Sequence, residues 1–203
     1  TTDELIPSGE TSSYRSNPVK LSEFALSRRA PEYVGRSKAA RDMADAVRNG
    51  EIPGELAAVM EKLGLPADTL KETTVGSGVF ANRPGDGSAR EQAASCQKVL
   101  GGVANIAYSY ATKRYRSNCI NWGILPFTLD ENTPFDYEPG DFLYVPGIRE
   151  AVKHGMETIP AKVVSKNGVQ DITLYVKGLT QDEKTIILEG CLINYYAAGY
   201  GRD

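Results

Sequence analysis

The sequence predicts an α/β domain, and three observations carry that reading. Strand-like and helical apolar patterns alternate between residues 73 and 129, the order expected of a sheet with crossover helices. A polar loop containing Gly85 and Gly87 joins the first strand of this series to a helix. A further strand pair closes around Asn167-Gly168, a dipeptide suited to the positive φ of a tight hairpin turn.

Taken in order, residues 1–35 are rich in Ser, Thr, Pro and Arg around one apolar stretch at 21–26, and read as an irregular, partly extended arm. Ala39, Ala40, Met43, Ala44 and Val47 recur at helical spacing and predict an amphipathic helix over 37–48, stopped by Asn49-Gly50. A second helix spans 54–63 and stops at Gly64. Thr74, Val75, Val79 and Phe80 mark a strand over 73–81. Ser88 and Glu91 stand at capping-box spacing and open a helix that runs to Gly101-Gly102. A strand over 103–108, a helix over 111–121 and a strand over 124–129 complete the alternation. There follow a strand over 142–145, a helix over 148–153, the hairpin of 161–166 with 171–176, and a last helix from the Thr180 and Glu183 capping box. No repeat, low-complexity tract or dividing linker interrupts residues 1–203, so one domain with the 1–35 arm is expected.

A chain of 203 residues with 41% hydrophobic and 24% charged residues has ordinary globular composition, which excludes disorder and collagen. With 23 basic against 26 acidic residues, net −3, it lacks the basic footprint of a nucleic-acid or membrane-surface protein. No apolar run approaches the ~18–20 residues of a membrane helix, and the opening segment has no signal-peptide pattern. Cys96, Cys119 and Cys191 are odd in number and widely spaced. They fit packed thiols in a reducing, cytoplasmic-type compartment rather than a disulfide framework or a metal knuckle. With His154 as the lone histidine, no zinc or two-histidine iron set can be drawn, and no metal is expected on this chain.

The loop before the third predicted helix holds the chemistry. Gly85 and Gly87 permit a tight turn, and Ser88 then sits where free N–H groups and the positive helix end converge. That spot suits an anion, and the same field stabilises a serine alkoxide; Arg90 adds a bidentate partner for a carboxylate. The plain alternative is that Ser88 is an N-cap worth about 1 kcal/mol and Arg90 a solvated first-turn residue. Arg15, in a polar stretch without a helical face, is a second carboxylate candidate or a surface arginine. Arg28, Arg29, Arg36, Lys38 and Arg41, with Tyr33 among them, could touch RNA or a partner but also suit a solvated face. Gly76-x-Gly78-x-x-Ala81 is followed by a Pro/Gly loop where a dinucleotide fingerprint needs a helix, and there is no phosphate-binding GxxxxGK[ST] loop or GxSxG elbow.

The run Gly85-Asp86-Gly87-Ser88-Ala89-Arg90-Glu91-Gln92-Ala93-Ala94 resembles the G-x-G-S-S-R-E-H-A signature of the aconitase superfamily's C-terminal swivelling domain. Thr1-Thr2-Asp3 with Arg15 twelve residues after the aspartate is similar to that family's T-T-D start and substrate-binding arginine. Leu100-Gly101-Gly102-Val103, Tyr115-Arg116-Ser117-Asn118, Gly123-Ile124-Leu125-Pro126 and 189–194 resemble later landmarks. The resemblance implies a mixed β-sheet flanked by helices, and a chain that is the excised end of a longer hydro-lyase. It implies Ser88 as catalytic base, Arg15 and Arg90 as carboxylate ligands, and Thr2, Asp3 and the Ala89 backbone as further substrate contacts. It also implies a [4Fe-4S] cluster held by residues outside this chain, on cluster-bearing N-terminal domains or a large subunit. The substrate implied is a small hydroxy di- or tricarboxylate, with citrate/isocitrate isomerisation of the tricarboxylic acid cycle favoured. Ala89 and Gln92 depart from the signature's second serine and histidine, which leaves the identity of the acid open. The alternatives are an isopropylmalate- or homoaconitate-type isomerase small subunit, a non-catalytic RNA-regulatory relative, and an inactive interaction domain.

Overall fold

The computed structural model describes residues 1–9 and 11–202. Six strands form one mixed sheet in the order β1-β2-β3-β6-β5-β4: β1 Ser77–Ala81, β2 Gly102–Ala107, β3 Leu125–Thr128, β4 Phe142–Tyr144, β5 Thr158–Ser165 and β6 Gly168–Tyr175. The first three are parallel and the last three antiparallel. The two halves meet through a single antiparallel pair, Thr128 with Tyr175. Helices cover the sheet, so the α/β class and the mixed sheet hold as expected from sequence.

Within the parallel half, α5 Arg90–Val99 and α6 Lys113–Asn121 are the two crossovers. β2 buries both of its faces, as parallel strands do. Ile106 joins Phe127, Leu129, Ile159, Val163 and Leu174 in one cluster, while its neighbour Asn105 faces α5 and α6. There Asn105 Oδ1 accepts from Gln97 Nε2 at 2.6 Å, and its Nδ2 donates to Tyr115 Oη at 3.2 Å. An amide and a phenol survive in this core because they satisfy one another. Around them pack Ala93, Ala94, Cys96, Cys119 and Ile124. The antiparallel hairpin alternates buried Ile159, Ala161 and Val163 with exposed partners, the half-buried pattern of period two.

Residues 1–35 depart from the irregular arm. They form α1 Thr2–Leu5, a 3-10 turn at Ser12–Tyr14 and α2 Pro18–Ser22, and bury Ile6, Leu21 and Ala25. Asn17 caps α2 and Pro18 opens it, a strong helix start in a segment too short to show periodicity. Leu21 and Ile6 pack on α5 residues, so this segment belongs to the core. The next helix, α3 Tyr33–Arg48, begins four residues earlier than its apolar pattern, and α4 Gly54–Lys62 follows. Residues 73–76 do not join β1, and a 3-10 helix at Ala67–Glu72 precedes them.

α7 Ile148–Lys153 is as predicted, and Thr180 and Glu183 form the expected capping box on α8 Gln181–Glu189. It is not the last helix: Gly190, at φ 101°, breaks the chain, and α9 Leu192–Ala197 follows. Among the described residues no helix is long and apolar enough to cross a membrane.

Burial pushes the Cys96 and Cys119 thiols up to about 12, whereas Cys191, at the start of α9, is half-buried. Neutral buried thiols are poor nucleophiles. Iodoacetamide at pH 8 should therefore label Cys191 in the native chain and spare Cys96 and Cys119 until denaturant is added, as read by peptide mass spectrometry. Equal native labelling of all three would contradict this packing.

Candidate active site at the start of helix α5

The loop of residues 82–89 leaves the carboxyl end of β1 and is strapped to the loop after β2. Tyr108 and Ser109 N–H donate to Asn82 O, and Ala111 N–H donates to Pro84 O at 2.9 Å. Thr112 caps α6, accepting from Tyr115 N–H, and donates its hydroxyl to Gly85 O at 3.2 Å. Beneath the strap, the Tyr115 ring fills the space a side chain at Gly85 would need, and Gly85 adopts φ +105°. Both facts require glycine there.

From the other side α1 closes on the same turn. Thr2 N–H donates to Asp86 O at 2.6 Å, and Thr2 is 2% exposed. A Cβ on Gly87, at φ +129°, would overlap the Thr2 hydroxyl. Asp3 is pinned in turn, accepting from Ser8 N–H at 3.1 Å and pairing with Arg28 at 2.7 Å. The Ser8 backbone hydrogen bond above all, with the Arg28 charge adding to it, holds the Asp3 carboxyl below its ordinary value of 3.8 against an opposing desolvation cost. Thr2 and Asp3 thus brace the loop.

The expected capping box at Ser88 and Glu91 does not form. Ala89 is the N-cap of α5, with no side-chain hydrogen bond, and the Glu91 carboxylate instead accepts from Trp122 Nε1 at 2.9 Å. Gly87 and Ser88 lie outside the helix, one residue too early for the serine to reach the first-turn N–H groups. The consequence is chemical: Ser88 is exposed, and its hydroxyl has no partner among the described residues. At the first position of α5, Arg90 buries its Nε without any hydrogen-bond acceptor. A desolvated guanidinium nitrogen lacking an acceptor marks a place where one is missing. No side chain caps the first-turn N–H groups of α5, so hydroxyl, arginine and positive helix end gather in one turn.

Arg15 ends the 3-10 turn and is exposed. The adjacent Tyr14 stacks on Phe24 and packs on the cluster that Ala89 also borders. The structure thus brings the Arg15 segment onto the α5 side of the molecule. Four of the five residues of the basic cluster have partners: Arg28 pairs with Asp3, Arg29 with Glu4 at 3.6 Å and Lys38 with Glu23 at 2.5 Å, and Arg41 donates to Val99 O, while Arg36 is exposed. Sequence reasoning missed Thr112, Tyr115 and Trp122, which hold the loop and Glu91 from segments 27 to 31 residues away. A threonine followed three residues later by its capped N–H was the signal available for Thr112.

Residues 78–132, from β1 through the Ser88 loop to just past β3, match the family described as the aconitase C-terminal domain. That match takes in the sheet's parallel half and the start of α5, and full-length similarities extend it. The chain is 28% identical over 197 residues to a candidate mitochondrial aconitate hydratase of Emericella nidulans, covering 96% of this chain and 23% of that protein. Against aconitate hydratase A of Rickettsia bellii it is 25% identical over 215 residues, covering 96% and 24%. The chain therefore spans about a quarter of the length of the curated relatives it matches. Its fold resembles a solved 3-isopropylmalate dehydratase chain from Methanocaldococcus jannaschii, with TM-score 0.51 and 22% identity over 97% of this chain and 86% of that one.

Two outcomes test the bracing. Gly87→Ala should destabilise the chain by about 1–3 kcal/mol in urea unfolding, because φ +129° is strained for alanine and the Thr2 contact is lost; an unchanged midpoint would refute the clamp. Because the folded Asp3 value is lowered, its contribution to holding α1 is full above the unfolded value of 3.8 and is lost as pH falls through the folded value. Protection of the Thr2 amide, measured against its intrinsic exchange rate at the same pH, should fall as pH drops through the folded Asp3 value and should already be low at pH 6 in Asp3→Asn.

Proposed function

We propose that residues 1–203 form the single substrate-binding and base-supplying domain of a hydro-lyase acting on a small hydroxy di- or tricarboxylate, with citrate/isocitrate as the favoured pair. The observation that carries this reading is the combination at the start of α5 of an unpartnered Ser88 hydroxyl with a buried Arg90 Nε that lacks an acceptor. The similarity to aconitate hydratases supports it.

In this mechanism Arg90 takes one substrate carboxylate, and Arg15, from the segment packed on the same side, takes a second. The uncapped N–H groups at Ala89 and beyond add donors, and the positive helix end favours Ser88 as alkoxide. Ser88 Oγ removes a proton from the carbon next to a carboxylate. The electron pair forms the carbon–carbon double bond, and hydroxide leaves the neighbouring carbon. Return of the proton and of hydroxide to exchanged positions gives the isomer. Ala89 supplies only its backbone where the signature's second serine would add a hydroxyl, so one contact is weakened while the base and arginines remain.

The family's [4Fe-4S] cluster does not fit this chain. Cys96 and Cys119 are buried neutral thiols, and among the described residues no group of three or more His, Cys, Asp or Glu side chains is placed to hold a metal. In this reading the cluster is carried by cluster-bearing domains or a large subunit outside these residues, and residues 1–203 alone should not turn over substrate.

The test is anaerobic turnover of the full-length, cluster-reconstituted enzyme with citrate, isocitrate, isopropylmalate and homocitrate. Ser88→Ala should lower kcat for the accepted acid by about 100-fold or more with little change in KM; near-full turnover by the variant would remove Ser88 as base. In parallel, tricarballylate titrated into the 203-residue chain should shift the Ser88 and Arg90 amide resonances.

A further inference from the structure

A second feature lies beside the Ser88 loop and is not used by the chemistry above. A cavity of about 450 Å³ opens at the seam between the parallel and antiparallel halves of the sheet, and both residues of the single joining pair, Thr128 and Tyr175, line it. It lies at the carboxyl ends of β2 and β3, where open α/β sheets receive ligands. None of Ser88, Arg90 and Arg15 lines it.

Its walls are apolar but oriented. Pro126 and Leu129 are buried beneath it. The Tyr108 and Tyr110 hydroxyls are anchored on Thr133 O at 2.6 Å and Phe127 O at 3.0 Å, so their rings are held in place. Tyr175 is likewise fixed, donating its hydroxyl to Asp130 at 3.0 Å. Three immobilised tyrosines thus line the cavity, and aromatic rings favour packing against a planar body.

Two of the cations that line the cavity have no carboxylate partner among the described residues. Lys113, at the first position of α6, is exposed and has no partner among the described residues, and the Lys177 ammonium rests only on the Tyr175 ring, 4.7 Å from its centre. Arg116, by contrast, is engaged with Lys177 O at 2.5 Å and Glu183 at 3.6 Å. Two ammonium groups without a carboxylate partner among the described residues match the charge of one phosphate monoester. The Glu131 carboxylate, which also lines the cavity, has no partner among the described residues. It would repel a bare anion but can accept hydrogen bonds from vicinal hydroxyls, as an acidic residue does for ribose in dinucleotide sites.

We propose that this cavity binds a nucleoside monophosphate, with the base between the tyrosine rings, the ribose hydroxyls on Glu131 and the phosphate at Lys113 and Lys177. The volume falls within the range of small-molecule sites and is sized for one nucleotide rather than two. This proposal stands apart from the reading of the α5 site.

Calorimetry on the 203-residue chain with AMP, adenosine and inorganic phosphate tests it. AMP should bind at least about tenfold more tightly than either of its parts. Lys113→Ala and Lys177→Ala should each weaken AMP by about threefold or more, and Glu131→Gln should weaken AMP while leaving its 2′,3′-dideoxy analogue unchanged. Ser88→Ala should bind AMP as the parent chain does, and tricarballylate should not displace it, which separates this site from that of α5. Equal affinity for phosphate and AMP, absence of saturable AMP binding up to about 10 mM, or displacement by tricarballylate would overturn the assignment.

Discussion

Everything at the candidate site hangs on one packed turn. Gly85 and Gly87 adopt positive φ and lie in van der Waals confinement, the first over the Tyr115 ring and the second against Thr2. A turn of this shape costs a non-glycine residue steric strain, and here the space for any side chain is also taken. Held from both sides, the turn sets Ser88 outside α5 and Arg90 at its first position, and neither can drift without breaking a contact in the core.

The support for that turn runs deep into the sheet. Tyr115 bonds to Asn105, which bonds to Gln97 from the last turn of α5. The helix that presents the site and the helix beneath its loop are thus tied to the same buried amide on β2. Such a network is costly if half satisfied and rigid when complete. On the outer side, α1 is held by the Asp3 pairing with Arg28 and by Ile6 in the core. The segment that looks most like a loose arm therefore forms one jaw of the clamp.

The sheet has a complementary weakness. Its parallel and antiparallel halves share one residue pair, so β3 and β6 diverge beyond it and leave the cavity flanked by Tyr110 and Tyr175. The two recesses at this end of the sheet therefore have different origins. One is a helix start left open by a displaced serine, and the other is a seam where strand pairing stops.

Much of the fold was legible in local pattern. Alternating apolar strands and helices over 73–129 specify the α/β class, Asn167-Gly168 specifies the hairpin, and Thr180 with Glu183 starts α8, because each depends on neighbours a few residues apart. The residues of the candidate site, Ser88, Arg90 and Arg15, were likewise readable from the glycine loop and the family signature. What only tertiary structure decided was their state. Spacing placed Ser88 in a capping box, but Trp122, thirty-one residues from Glu91, takes that carboxylate and Ala89 becomes the cap. The order of residues 1–35 was hidden for the same reason: their short helices have no period of their own and form because Ile6 and Leu21 find α5. Local sequence determined which elements this protein makes; contacts between distant segments decided which side chains those elements leave free.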